Sequence, residues 1–337
     1  MSSLPAREFA CSSSLDHLHT QTPALAGTAS TAPDGTDAPT FTRRARRLTW
    51  RRVLALPLAV FGLAVAASAA SMADAADDAA APAAGPNVVT GFGGAPDLNR
   101  EGGLSVASPL LDIAANPAGD GYWLVGADGG VFTYGDARFF GSLGGTRLNA
   151  PVVDIAPTPT GAGYWLVAGD GGVFSFGDAA FQGSLGGQTL RAPVLGIASS
   201  PTGNGYWLVS ADGGVFAFGD AGFYGSGIEL SDNAPVVELA ATVSGDGYWL
   251  LAADGGVFAF GDASFEGADV DPENRDAIGI AASLAGEGYW VLRRSGAVGA
   301  FGVEEFGGLE PVPSLHPAIA ITARAAGGYW IVQGEQQ

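Results

Sequence analysis

Two aspartates recur at a fixed separation along this 337-residue chain. Asp128, Asp170, Asp212 and Asp254 each open an Asp-Gly-Gly stretch, and Asp136, Asp178, Asp220 and Asp262 follow eight positions later in Gly-Asp-Ala. Repeated carboxylates could ligate Ca²⁺ through oxygen. One Asp per turn is too few ligands for that ion, whereas Asp commonly bonds the backbone of tight turns. Turn chemistry is therefore the expectation, and no cofactor is expected. His316, in Pro-Ser-Leu-His-Pro-Ala, is the one imidazole outside the N-terminal leader. No Gly-x-Ser-x-Gly precedes it and no metal-ligand spacing surrounds it. The chain has no lysine, and its single cysteine is Cys11. Disulfides and thiolate sites are thus excluded beyond the leader, along with most covalent and general-base chemistry. A carboxylate pair for glycoside cleavage stays chemically available, but nothing marks a particular pair. The expectation is a protein that is not an enzyme.

The elements that carry these aspartates are repeats. Gly-Tyr-Trp recurs at Trp123, Trp165, Trp207, Trp249, Trp290 and Trp330, in steps of 42, 42, 42, 41 and 40 residues. Periodicity of this kind is read before any local signal. Within one unit, "VLGIA", "YWLVS", "VFAF" and "GFYGS" are short apolar runs separated by turn signals. Runs so short and so rich in β-branched and aromatic residues suit strands. Asp-Gly between two of them signals a hairpin, and the extra Gly fits a bulge. "YWLV" and "VFAF" are apolar on both faces, so each sheet is expected between two others. The tryptophans could be sugar-stacking platforms, but their mid-strand places beside Leu and Val point to a core between sheets.

Units of about 42 residues with four antiparallel strands, packed face to face in a ring, predict an all-β fold, a β-propeller. The unit resembles the tryptophan-aspartate (WD-type) repeat, whose strand ends here read "SSPTG", "SADGG" and "AFGD". It is also similar in letters to repeats of exported actinobacterial proteins, with the pattern "GYWLV…DGGVF.FGDA.F.GS". The last unit ends two strands short. Val89–Ile113 aligns without a gap to Val173–Ile197, so Val89 to about Leu104 supplies the missing third and fourth strands. Five whole units and one composite give six blades, with one blade closed by N- and C-terminal strands.

The net charge is −19. Beyond residue 75 there are 29 acidic and 8 basic side chains. Such a surface repels nucleic acid and anionic lipid. Neither nucleic acid nor a membrane is an expected partner of the ring. Residues 1–52 read as disordered with an Arg-rich end. Residues 53–75 read as the apolar core and cleavage region of an export signal, and 76–87 as a linker to the propeller at 88–333. "TWRRVLAL" resembles a twin-arginine signal, with Arg51 and Arg52 as the pair. The apolar run is also long enough for an uncleaved signal anchor. Both readings place the repeats outside the cytoplasm, secreted or tethered.

Departures from the repeat mark a candidate binding surface. By analogy with WD-type blades, the hairpin turns and inter-blade loops share one face. There unit four carries Asp269, Asp271, Glu273, Arg275 and Asp276, and unit five replaces "ADGG" with Arg293-Arg294-Ser295-Gly296. Its outgoing loop adds Glu310 and His316. Loops on a rigid scaffold are where recognition usually sits. The expected function is an exported binding or scaffold module of the cell envelope, with a protein or glycan partner. The alternative is a carbohydrate-active enzyme or lectin on the same ring.

Overall fold

The computed structural model describes residues 87–98, 104, 106–117, 119–228, 234–286, 288–309 and 316–334. The leader, residues 76–86 of the linker and Glu310 lie outside the described residues. Eighteen strands form six three-stranded antiparallel sheets. The first strand among the described residues is β1 (Val88–Phe92). Blade 1 is β2 (Leu110–Ala115), β3 (Tyr122–Gly126) and β4 (Val131–Tyr134). Blade 2 is β5 (Val152–Pro157), β6 (Gly163–Ala168) and β7 (Val173–Gly177), and blade 3 is β8 (Val194–Ser199), β9 (Gly205–Ser210) and β10 (Val215–Gly219). Blade 4 is β11 (Val236–Ala241), β12 (Gly247–Ala252) and β13 (Val257–Gly261), and blade 5 is β14 (Ala277–Ala282), β15 (Tyr289–Arg293) and β16 (Val298–Phe301). Blade 6 is β17 (Ala318–Ala323) and β18 (Tyr329–Gln333), completed by β1. The first strand of each blade touches that of the next, and β17 touches β2. The molecule is a six-bladed β-propeller.

Closure follows the gapless alignment of the two chain ends. β1 lies antiparallel to β18 with Val89 opposite Val332 and Thr90 opposite Ile331. An additional bridge joins Asn87 to Leu104. Closing the ring in this way ties both ends of the repeat region into one sheet.

The middle strands explain why the ring packs. Tyr-Trp-Leu-Val and its variants are buried on both faces. Alternate residues point to opposite neighbours. Trp123 and Val125 pack with Tyr164 and Leu166 of blade 2, while Tyr122 and Leu124 pack with Trp330 and Val332 of blade 6. Each Trp therefore meets the Tyr of the following blade. The six contacts run Trp123–Tyr164, Trp165–Tyr206, Trp207–Tyr248, Trp249–Tyr289, Trp290–Tyr329 and Trp330–Tyr122, with ring centroids 5.4–5.9 Å apart. Such separations suit favourable aromatic pairing.

The expected fourth strand is corrected. Each sheet has three strands, and the "GDAxFxGS" run forms no ladder. It is instead a strut in the seam between blades. The indole Nε1 of Trp123 donates to Arg138 O at 2.8 Å, and the same bond recurs at the other five tryptophans, including Trp330 to Pro96 O at 2.9 Å. From the next blade, the Tyr164 hydroxyl donates to Gly141 O at 2.5 Å, and Tyr206, Tyr248, Tyr289 and Tyr329 repeat the contact. The run looks like a strand because its aromatics are closely spaced. Its backbone polar groups are taken by side chains instead of a neighbouring strand.

Candidate functional site

Three places bring polar side chains together. The first is the hairpin face. Leu143 N bonds Gly129 O, and Val152 N bonds Ala127 O, so the hairpin turn and the outgoing loop do share one end of the blade. Asp128, Asp170 and Asp254 each accept the backbone N–H two residues on at 3.0 Å, as turn chemistry requires. On the opposite face, Asp178 accepts from Thr158 Oγ1 at 2.8 Å and Thr160 Oγ1 at 2.6 Å. Asp220 and Asp262 take the equivalent hydroxyl pairs of blades 3 and 4. Asp136 takes Asn116 Nδ2 and Asp120 N. Both repeated carboxylates are therefore spent on local structure.

The structure brings part of the predicted loop site together. The Arg293 guanidinium meets Asp276 Oδ1 at 2.5 Å and Asp269 Oδ2 at 3.3 Å, and also donates to Asp269 O. Burial works against its charge, but Asp276 and Asp269 outweigh that and hold its pKa above the ordinary guanidinium value. Asp271 accepts from Glu273 N and Asn274 N and so shapes its own loop. Glu273 and Arg275 are exposed. The backbone of Arg294 links Asp276 O to Ala318 N. His316 sits half-buried at the start of blade 6, and its carbonyl accepts from Gln333 Nε2. Much of this charge thus joins the blade 4 loop to the blade 5 hairpin. Arg324 makes the matching link at closure, pairing with Asp120 of blade 1 at 2.6 Å.

The second place, the central channel, was missed by sequence reasoning. Its cavity of about 370 Å³ is lined by the six inner strands. Each inner strand carries a register shift, between Leu110 and Asp112 in β2 and at the same position in the other five. A bulge leaves a residue without its ladder partner. The residue after the shift is Asp112, Asp154, Gly196, Glu238, Gly279 or Ala320. Three of these reach across to the next blade. Ile155 N donates to Asp112 Oδ2 at 3.3 Å, Ile197 N to Asp154 Oδ2 at 2.7 Å, and Ile280 N to Glu238 Oε2 at 2.7 Å.

These carboxyls are costly to ionise. Burial, then the Asp154 charge and a hydrogen bond with Asp154, push Asp112 well above the usual carboxylate range. Burial also raises Asp154, opposed by the bonds that it accepts from Asp112, Ile197 and Ile155. Glu238 is raised well above its ordinary value by burial and then by Asp154. The channel lining contains no basic side chain among the described residues. The signal was visible in the sequence as three acids directly before the inner-strand aliphatics Ile113, Ile155 and Leu239.

The third place is a polar cleft of about 520 Å³ between blades 4 and 5, on the face opposite the hairpins. Thr242, Ser244, Asp262, Ser264, Glu266 and Ser283 supply its polar groups. The tryptophans lie within the seams and do not form sugar platforms on the surface: Trp123, Trp165, Trp207 and Trp330 are fully buried. Among the described residues the exposed aromatics are Phe139, Phe181, Phe223 and Phe265, at one repeat position in four blades and each 59–62% exposed.

No protein family and no curated protein matches the chain. Among solved structures it is similar to the β-propeller domain of Cps50 (Swd1) from Myceliophteria thermophila, at 12% identity, covering 67% of this chain and 84% of that one with a TM-score of 0.41.

Proposed function

We propose that this chain is an exported, non-enzymatic binding or scaffold module of the cell envelope, recognising a protein or a glycan. The observation that carries this reading is the set of four exposed phenylalanines. A large apolar ring left in water at one chance position means little, but the same ring at four equivalent positions on a rigid scaffold suggests a contact surface. The acidic coat favours a neutral or basic partner over nucleic acid. Export is supported by the leader's arginine-rich flank, apolar run and small residues, which lie outside the described residues. The letters of the repeat, similar to those of exported actinobacterial proteins, agree with that placement. The leader would be cleaved or kept as an anchor.

The non-enzymatic reading is supported by the engagement of the repeated carboxylates in turns and struts. The alternative, a carbohydrate-active enzyme or lectin, draws on the polar cleft, which holds both Asp262 and Glu266. Glycan-array binding, capture of envelope proteins and a polysaccharide turnover assay on the exported protein separate the two. Binding without turnover, weakened when all four phenylalanines become serine, is expected. Turnover abolished by a single Asp or Glu substitution would overturn the proposal.

A further inference from the structure

The seam between blades 4 and 5 departs from the other five in two ways at once. The strut residue two after the Trp-bonded carbonyl fills most seams. Phe140 packs on Tyr164 with centroids 5.8 Å apart, and Phe306 packs on Tyr329 at 6.0 Å. Tyr224 packs tilted on Tyr248 and also donates across its seam to Gly245 O at 3.0 Å. Leu98 covers Gly135 at closure. Blades 4 and 5 have Glu266 there, and blades 2 and 3 have Gln182.

The second departure is absent from the Gln182 seam. In blades 2, 3 and 4, Thr158, Ser200 and Thr242 donate to the Asp of their own blade. Ser283 holds this position in blade 5, but Val303 replaces the Asp. Its hydroxyl accepts from Ala285 N and lines the cleft. Gly286 adds open backbone, since a Cβ there would meet nothing within 4 Å.

We infer that this cleft is a saccharide subsite for a neutral or amino sugar. The inference deepens the glycan branch of the proposed function and rests on it. Thr242 and Ser244 already donate to Asp262 and keep acceptor capacity, Ser264 and Ser283 can donate and accept, and Glu266 accepts only, which together suit the mixed demands of a polyol. No cationic side chain lines the cleft among the described residues. An anionic sugar therefore meets like charge, whereas a hydroxyl or ammonium group meets acceptors. Val243, which is 49% exposed, offers an apolar wall for the C–H face of a sugar ring. The volume lies within the range of small-ligand sites.

The test uses the exported protein and three probes: chitobiose as the neutral sugar, glucosamine as the cationic one and glucuronic acid as the anionic one. Binding is followed by isothermal titration and saturation-transfer NMR. Val303→Asp and Glu266→Phe install residues that other seams already carry, so the fold should be kept, as thermal melts would verify. Chitobiose or glucosamine should bind at least about ten-fold more tightly than glucuronic acid, and the double variant should lose at least about ten-fold in affinity. Equal binding by the double variant would overturn the cleft while a positive glycan array leaves the glycan reading standing. Silence of all three probes with a positive array would likewise overturn the cleft alone. Silence of the probes and of the array would overturn both.

Discussion

The aromatic girdle and the channel wall are two layers of one ring, and they differ in uniformity. All six seams of the girdle carry the same Trp–Tyr contact and the same indole-to-strut bond, including the seam where β1 and β18 close the ring. The channel wall has a carboxylate latch at three seams only, from Asp112, Asp154 and Glu238. At the other seams Gly196, Gly279 and Ala320 stand in the same place. Within the girdle only the tyrosine hydroxyl bond to the strut varies, since Tyr122 at the closing seam lacks it, and the layer that repeats at every seam sets the geometry of the fold. A layer that varies adjusts how strongly and under what conditions each seam holds. The Glu266–Ser283 cleft and the Arg293 and Arg324 ion pairs belong to this second kind of feature, being departures built onto an invariant frame.

The sharpest way to break the girdle's uniformity is to cut it at two places. Trp207→Ala, at an ordinary seam, and Trp330→Ala, at the closing seam, should each cost about 3–5 kcal/mol, the usual penalty for emptying a buried aromatic site. Denaturant unfolding of both variants would measure it. A much cheaper Trp330→Ala would show that the closing seam is looser than the rest.

A smaller effect should come from the channel. Unfolded carboxyls titrate near about 4, and Asp112 and Glu238 titrate well above their ordinary values in the folded ring. The stability they contribute is fully present below about pH 4 and is lost as pH rises through the folded values. Thermal stability should therefore fall as pH rises across that window. Asp112→Asn keeps an acceptor for Ile155 N and cannot ionise. It should match the unmodified protein near pH 4 and exceed it near pH 8 by roughly 2–4 °C, the response of a domain this size to about 1 kcal/mol. Equal destabilisation at both pH values would mean that Asp112 acts through shape alone.

Much of the frame was legible in the letters because the girdle repeats. The Trp period located the blades, and the match of Phe92 to Phe176 pointed to the composite blade. The strut was not legible. Ala221-Gly222-Phe223-Tyr224-Gly225 has the composition of a strand, and only the folded structure shows its carbonyls taken by Trp207 and Tyr248. Phe223 likewise reads as core by hydrophobicity and is 62% exposed. The channel acids carried a local signal, but their grouping along one wall was not legible. Asp112 and Glu238 are 126 residues apart in sequence, and only ring closure lines them along one wall. Of the predicted loop site, Arg293, Asp269 and Asp276 do meet, but largely to join two blades.

The central claim is that the two ends of the repeat region complete one sheet. Val89 and Val332 are opposite one another across β1 and β18, at a separation within reach of a disulfide in an antiparallel pair. In the full chain with Cys11→Ser, the pair Val89→Cys and Val332→Cys should oxidise to an intramolecular disulfide, seen as a two-proton mass loss and a faster band on a non-reducing gel. Two free thiols that alkylate fully in the folded protein would contradict a closed ring.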